Sequence, residues 1–394
     1  MKNSVFILWF EGLNPEIFST VPSLTRLATD GIDLRLAPLP LFERGVCYYQ
    51  ALTGTGSGKF GRFDAVYPER YTACESPGIP EGAAGRLLPE ILRPQKLAVT
   101  SLEISDKRAL DTLADQTFDC TLVRFLDAGN AEPDTIEAIV QSCVELAPPA
   151  AHMLVLTDVW NQAPGKLVNI NDFLADVGLL EVGVSRNHEH IAWSETLAYG
   201  LGTGQVWINL RGRESQGVVS SGREYQEVRD ALVNELRTNW RDPQTNQPVV
   251  ERVLKREDAY TGEFLFKAPD LIVVYRPGYA TSPRGAALDF DGLSICEVDA
   301  GVNAKAPCAR LIASGPCLVN GLTGTASLID LMPSVMYLLG QPIPMHVDGH
   351  IISSMFTQSY QQRTPERFAD DDDLLSDEEQ DLIVDRLRDL GYLG

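Results

Sequence analysis

Residues 152–158 read HMLVLTD, and the chain continues VWNQAPG to Gly165. A short apolar run that stops at an acidic residue has the pattern of a strand buried on both faces of a parallel sheet. In such sheets, sites gather at the carboxyl ends of the strands, which is where Asp158 stands. An aspartate there is a natural metal ligand or catalytic carboxylate. Its neighbours Val159 and Trp160 can do neither job.

Working outward, the same pattern recurs. SVFILWF (4–10) is a buried strand ending at Glu11. PSLTRLATDG (22–31) is helical: proline opens it, Leu24 and Leu27 repeat at helical spacing, and Gly31 closes it. DLRLAPLP is extended, QKLAVTSLEI (95–104) a strand, RALDTLADQ (108–116) a short helix and DCTLVRFLD (119–127) a strand. DTIEAIVQSCVELA (134–147) has one apolar helical face. After residue 265 the alternation resumes with strands APDLIVVY (268–275) and ARLIASG (309–315) and the helix TASLIDLMPSVMYLLG (325–340). Strands alternating with helices predict an α/β chain with a mostly parallel central sheet covered on both faces.

Residues 185–265 break the rhythm with GQVWINLRGRE and the charged helix YQEVRDALVNELRTNW, and read as a cap inserted into the sheet domain. The predicted organisation is a discontinuous core of 1–184 and 266–355, a cap of 185–265, and an acidic linker with a terminal helix over 356–394. The glycine- and proline-rich stretch from Gly54 to Pro94 is expected to pack as long loops.

The chain has 394 residues, 44% of them hydrophobic, so a sizeable core is expected. Its formal charge of -21 repels nucleic acid and anionic membranes. The block FADDDDLLSDEEQD (368–381) supplies part of that charge and reads as a solvated linker. No apolar run is long enough to span a membrane. Val5–Phe10 is too short for a signal peptide core and lacks a nearby cleavage site. Seven cysteines without a C-x-x-C pair suggest neither a disulfide scaffold nor a zinc ribbon, and fit a reducing, cytoplasmic setting.

Several chemical signals are partial. TGTGSGKFG (53–61) lacks the hydroxyl residue that a nucleotide P-loop needs after its lysine, because Phe60 follows Lys59. It reads as a structural glycine turn. Glu43, Arg44 and Cys47 lie close in LFERGVCYY (41–49), and Arg44 could lower the Cys47 thiol, although a buried inert cysteine is the simpler reading. His188 and His190 alternate in RNHEH, so on a strand both rings share a face. His346 and His350 bracket an Asp-Gly turn, and His152 reads as structural. Glu11, Asp127 and Asp158 each end a predicted strand. Three carboxylates alone hold a magnesium or calcium ion weakly and do not make a zinc site.

Taken in order, these segments resemble the alkaline phosphatase superfamily, in its type I phosphodiesterase and nucleotide pyrophosphatase branch. WFEGLNP (9–15) is similar to the opening strand and metal aspartate of that branch, written L-D-G-x-x-P. RGVCYYQALTG falls where T-x-P-A-W-T-S-x-x-T-G is usual, TDVWN where T/S-D-H-G-F is usual, and INDFLADVGLL where N-x-W-L-x-x-x-G-x-L is usual. VWINLRGRESQGVV, DPQTNQPVVERVLKREDAYTG, APDLIVVY, ARLIASGP and LIDLMPSVMYLLGQPIPMHVDG also look family-like. The resemblance implies an alkaline-phosphatase-like three-layer sandwich with an inserted cap. It also implies a site with two divalent cations about 4 Å apart that activate a threonine and grip a phosphoryl group.

The residues needed for that chemistry are missing. The first aspartate is Glu11, and the threonine nucleophile falls on Arg44, which is always protonated. The histidine after Asp158 is Val159, the partner of Asp127 is Ala131, and the late histidine falls on Lys305 or, with a gap, Asn303. The expectation is a family scaffold with its metal centre dismantled. Glu11, Asp127 and Asp158 remain as remnant ligands, no cofactor is expected beyond a weakly bound divalent cation, and the former cleft takes a small anionic ligand or a protein partner. Arg44 and Lys305 would supply positive charge there. The alternative is a metal-independent enzyme acting on a phosphorylated or other small metabolite through Glu43, Arg44, Cys47 and Lys305. An open polar cleft would favour catalysis; one plugged by Phe60, Val159 and Trp160 would favour a structural role.

Overall fold

The computed structural model describes every residue except 1–2, 38–43, 64–65, 70, 76–86, 115, 127, 159, 163–164, 186–187, 291, 299–303, 307–308 and 369–394. For Arg44, Trp160, His188 and Lys305 it describes the backbone. The predicted terminal helix and most of the acidic block lie outside the described residues. Contacts divide the chain into two units. One comprises Met1–Gly56, Glu81–Gln162 and Lys305–Asp373; the other comprises Ser57–Pro80, Ala163–Ala304 and Leu374–Gly394.

The first unit is built on a seven-stranded sheet. Its spatial order is Leu322–Ser327, Ile32–Ala37, Ala309–Ser314, His152–Thr157, Val5–Phe10, Cys120–Phe125 and Val99–Ile104. All neighbours are parallel except Ala309–Ser314, which runs antiparallel to both of its partners. The expected mostly parallel sheet is therefore present. Val5–Phe10 is buried along its whole length because it has a covered sheet on both sides. Ile7 and Trp9 enter one core with Cys47, Ala51, Leu52, Met332 and Val335; Phe6, Leu8 and Phe10 enter another with Leu24, Ile136, Ile139 and Val140. The first core is roofed by helices Arg44–Thr53 and Leu331–Leu339, the second by Pro22–Asp30 and Pro133–Leu146. Fully burying one such large side chain contributes about 1.5–3 kcal/mol, so this strand anchors both layers. Helix Pro22–Asp30 is followed by Gly31, where only glycine fits because a Cβ would stand 2.2 Å from the Ala313 carbonyl oxygen.

Local assignments differ from the sequence reading in three places. The stretch expected as one helix over 325–340 is the strand Leu322–Ser327, a turn at Leu328–Asp330 and then helix Leu331–Leu339. Thr323, Gly324 and Thr325 are poor helix formers, and the Asp330 side chain accepts a hydrogen bond from the Ser327 amide, starting a helix only after the strand. Residues Lys107–Leu113 form a 3-10 turn rather than an α-helix. The glycine-rich stretch holds a short helix Ser57–Phe60, a hairpin of Val66–Glu69 and Thr72–Glu75, and helix Leu88–Leu92 between its loops.

The second unit has a four-stranded antiparallel sheet in the order Ala198–Leu201, Gln205–Ile208, Leu271–Tyr275, Val250–Lys255, with helix Arg223–Thr238 packed on it. Leu271–Tyr275, read from sequence as part of the main sheet, belongs here. Its position is fixed by Asp270, which is fully buried and accepts hydrogen bonds from the Ile208 amide (2.7 Å), the Tyr225 hydroxyl (2.6 Å) and the Arg213 guanidinium (2.7 and 3.0 Å). Burial alone would raise the Asp270 carboxyl, but Arg213 and Arg256 outweigh it and hold the group below the usual carboxylate range. Lys166–Val168 also pairs within this unit, between Tyr279–Thr281 and Ile295–Glu297. These pairings lie inside the stretch Ala163–Ala304 of this unit. No helix among the described residues is long and apolar enough to cross a membrane.

His152 is fully buried at the start of its strand, as the sequence suggests. Nδ1 faces the Ser4 carbonyl oxygen at 3.2 Å and Nε2 accepts from the Cys317 amide at 3.2 Å, so the neutral ring with its proton on Nδ1 satisfies both. Burial lowers its pKa, against the Ser4 contact, which raises it. The unfolded chain therefore binds a proton more readily than the folded one. The stabilisation by His152 is full above about pH 6.5 and is lost as pH falls below that value. The difference in urea unfolding free energy between wild type and His152→Gln should therefore shrink between about pH 7 and pH 5; a difference independent of pH would contradict this. Asp270→Ala should cost about 3–5 kcal/mol of stability by stranding a buried guanidinium, read as a lowered urea midpoint. An unchanged midpoint would remove the anchoring role given to Asp270.

Candidate functional site

Three neighbouring parallel strands set the site. Phe10 is in register with Phe125 on one side and Thr157 on the other. Glu11 and Asp158 therefore emerge together at the carboxyl edge, on strands about 4.8 Å apart. The Glu11 amide donates to the Phe125 carbonyl oxygen at 3.0 Å, which extends the ladder by one residue. The chain then turns at Gly12, whose φ of 72 lies in the left-handed region that favours glycine. The turn aims the Gly12 amide at Asp158 Oδ1, 2.6 Å away. The other carboxylate oxygen, Oδ2, accepts from Trp9 Nε1 at 3.3 Å. Asp158 is 1% exposed, and Trp9 is fully buried. Such a carboxylate is tolerated in the interior because N–H donors meet both of its oxygens.

Glu11 takes a different partner. Its Oε2 lies 3.1 Å from the Arg124 guanidinium, whose other arm holds Glu103 at 2.8 Å. Arg124 projects from Cys120–Phe125 toward the face covered by helix Arg44–Thr53, where its guanidinium lies 4.3 Å from the centre of the Tyr48 ring. Tyr48 in turn meets Trp9 edge-on, with ring centres 5.3 Å apart. Burial pushes the Tyr48 phenol up to about 12, and nearby Arg124 works against the rise. Glu103, Arg124, Glu11, Tyr48, Trp9 and Asp158 thus form one connected chain of charged, aromatic and hydrogen-bonded contacts. Its glutamates face a guanidinium, and its aspartate faces an indole and a backbone amide.

The predicted site residues fall as follows. Glu43 and Asp127 lie outside the described residues, as do Val159 and Asn303. Arg44 is the first residue of helix Arg44–Thr53. Cys47, one turn on, is 1% exposed inside an apolar cluster, surroundings that do not present a thiolate to a substrate. Lys305 lies on strand Ala304–Ala306, laddered with Trp160–Gln162. Phe60 is fully buried. His188 and His190 do alternate on one strand, His188–Ile191, and the His190 ring lies over Gly183. The Gly54 turn is structural: its carbonyl oxygen accepts from the Asp348 and Gly349 amides, and the Asp348 carboxylate accepts from the Gly56 amide at 3.0 Å. Among the described residues, no group of three or more His, Cys, Asp or Glu side chains could hold a metal ion.

The sequence reading did not single out Arg124, Trp9, Tyr48 or Gly12. A signal for Arg124 was present: it is the one charge in the otherwise uncharged strand CTLVRF.

No protein-family model matches the chain, and no curated protein matches its sequence. Solved structures do match. Phosphonoacetate hydrolase from Sinorhizobium meliloti 1021, in complex with phosphonoformate, superposes with a TM-score of 0.55 at 11% identity, covering 86% of this chain and 95% of that one. Human ectonucleotide pyrophosphatase/phosphodiesterase 5 gives 0.49 at 12% identity and its murine counterpart 0.48 at 11%, each with the same 86% and 95% coverage. The fold is alkaline-phosphatase-like. At these identities the likeness concerns the fold alone.

If Asp158 serves the structure, replacing it strands two buried donors, the Trp9 indole and the Gly12 amide. Asp158→Ala should lower the stability of metal-free protein by about 2 kcal/mol or more in urea unfolding. An aspartate kept only as a metal ligand would leave the metal-free protein unchanged.

Proposed function

We propose that the chain is a divergent relative of the type I phosphodiesterases and nucleotide pyrophosphatases that has lost dimetal phosphoester hydrolysis. In this reading the carboxyl edge of the sheet binds a small anionic ligand. The observation that carries it is the Arg124–Glu11 pair. A divalent cation about 4 Å from a guanidinium meets roughly 8 kcal/mol of repulsion at an effective dielectric constant of about 20. A cation binding at Glu11 must overcome that repulsion or displace the guanidinium from its pair.

Other features support the reading. Both Asp158 oxygens already accept from protein N–H groups. In the resemblance, Val159, Ala131 and Lys305 or, with a gap, Asn303 stand where the family keeps metal histidines, and Arg44 where it keeps its nucleophile. The substitutions at Arg44 and Lys305 add fixed positive charge, which suits a phosphate or another small anion. Cys47 is given no chemical role because of its burial.

The test uses the full chain equilibrated with zinc or magnesium. The expected result is less than one tightly held metal ion per chain and no hydrolysis of bis(4-nitrophenyl) phosphate above buffer. Inorganic phosphate should bind by calorimetry, and that binding should disappear in the Arg44→Ala, Lys305→Ala double variant. Two zinc ions per chain with turnover that Glu11→Ala abolishes would overturn the loss of hydrolysis. Phosphate binding unchanged in the double variant would overturn the anion site.

A further inference from the structure

The hairpin of Val66–Glu69 and Thr72–Glu75 belongs to the second unit and is paired from Val66 opposite Glu75 to Glu69 opposite Thr72. Its loop is therefore two residues long, and Tyr71 is the second of them. Tyr71 has a φ of 64, in the left-handed region. Tight hairpin loops ordinarily put glycine or asparagine in that conformation, because a side chain is disfavoured there. A bulky aromatic residue with positive φ is strained, and it persists only where its surroundings hold it.

The surroundings of Tyr71 do hold it. Its ring stacks on Trp193, with centres 3.8 Å apart and planes 15° from parallel, and meets the Tyr199 ring edge-on at 6.2 Å. Its hydroxyl donates to Asn209 Oδ1 at 2.8 Å and accepts from the Gln216 amide at 2.9 Å. Asn209 is fully buried, and its side-chain nitrogen donates to the carbonyl oxygens of Trp193, Thr196 and Gln216 at 2.7, 2.9 and 3.2 Å. The Tyr199 hydroxyl is likewise fixed, on Glu214 at 3.0 Å. The orientation of Asn209 and Tyr199 is thus set by bonds that do not involve Tyr71. The ring enters a socket with a flat aromatic wall, one acceptor and one donor.

We propose that the hairpin is a strap latched onto the second unit by Tyr71, with a docked and a released state. Two opposed effects set the balance. Docking stacks the ring on Trp193 and satisfies its hydroxyl. Release lets residue 71 leave the left-handed region. A single pair of four-residue strands is at best marginally stable in water, so loss of the latch frees the hairpin along its length. Release also opens the Trp193 face, the Asn209 carbonyl and the Gln216 amide to solvent.

Hydrogen–deuterium exchange of the full chain, read by mass spectrometry over the hairpin peptides, separates the latch from the loop. Tyr71→Gly relieves the backbone strain and removes the ring together. If loop strain alone governed the hairpin, this variant would exchange more slowly than wild type. The latch predicts the reverse: exchange over Val66–Glu75 about tenfold faster or more, with the peptides of Leu271–Tyr275 unchanged. Tyr71→Phe keeps the stack and loses the hydroxyl bonds, and should lie between wild type and Tyr71→Gly. Hairpin exchange that is unchanged or slower in Tyr71→Gly would overturn the proposal. So would equal acceleration of the hairpin and of Leu271–Tyr275, which would make Tyr71 a prop of the whole unit.

Discussion

The arrangement at the sheet edge depends on one guanidinium. Arg124 holds Glu11 on one side and Glu103 on the other and lies against the Tyr48 ring. Its place follows from strand alternation. It is two residues after Leu122 on the same face, at the point where the strand leaves the core. A positive charge built into the chain thereby neutralises carboxylates that would otherwise be available to a cation. Part of this pair is exposed to solvent, with 19% of the Arg124 side chain and 17% of the Glu11 side chain accessible. Its contribution to stability is correspondingly small. In the proposed reading its importance lies in the cation it keeps away from Glu11.

Asp158 shows the complementary device. Its donors are a tryptophan indole and a glycine amide, so it ties the end of strand His152–Thr157 to Trp9 and to the turn at Gly12 on the neighbouring strand. Asp270 in the other unit is handled differently. It is fully buried and meets guanidinium groups, a hydroxyl and an amide together. In both units a buried carboxylate fastens neighbouring strands, and its cost of burial is offset by directed donors rather than by solvent.

Much of this was legible in the sequence. VFILWF, CTLVRF and HMLVLT announce themselves as continuous apolar strands, and their helices follow with clear periodicity. The placement of Glu11 and Asp158 at strand ends could be read from where each apolar run stops. Other features were hidden for physical reasons. LTGTAS has too few large apolar residues to show a period, so it merged with the helix after it. LIVVY looks like any buried strand; only the partners of Asp270 reveal its sheet. The Arg124–Glu11 and Trp9–Asp158 contacts join residues more than a hundred positions apart, and no local pattern encodes them.

The central claim is that the carboxylates left at the sheet edge are committed to the protein's own donors. The most direct measurement is anomalous diffraction from crystals grown with zinc, magnesium and phosphate. The account predicts an intact Arg124–Glu11 pair, Asp158 still bound by Trp9 and Gly12, and no cation beside them. Two well-occupied cations about 4 Å apart, coordinated by Glu11 and Asp158 with Arg124 displaced, would contradict it.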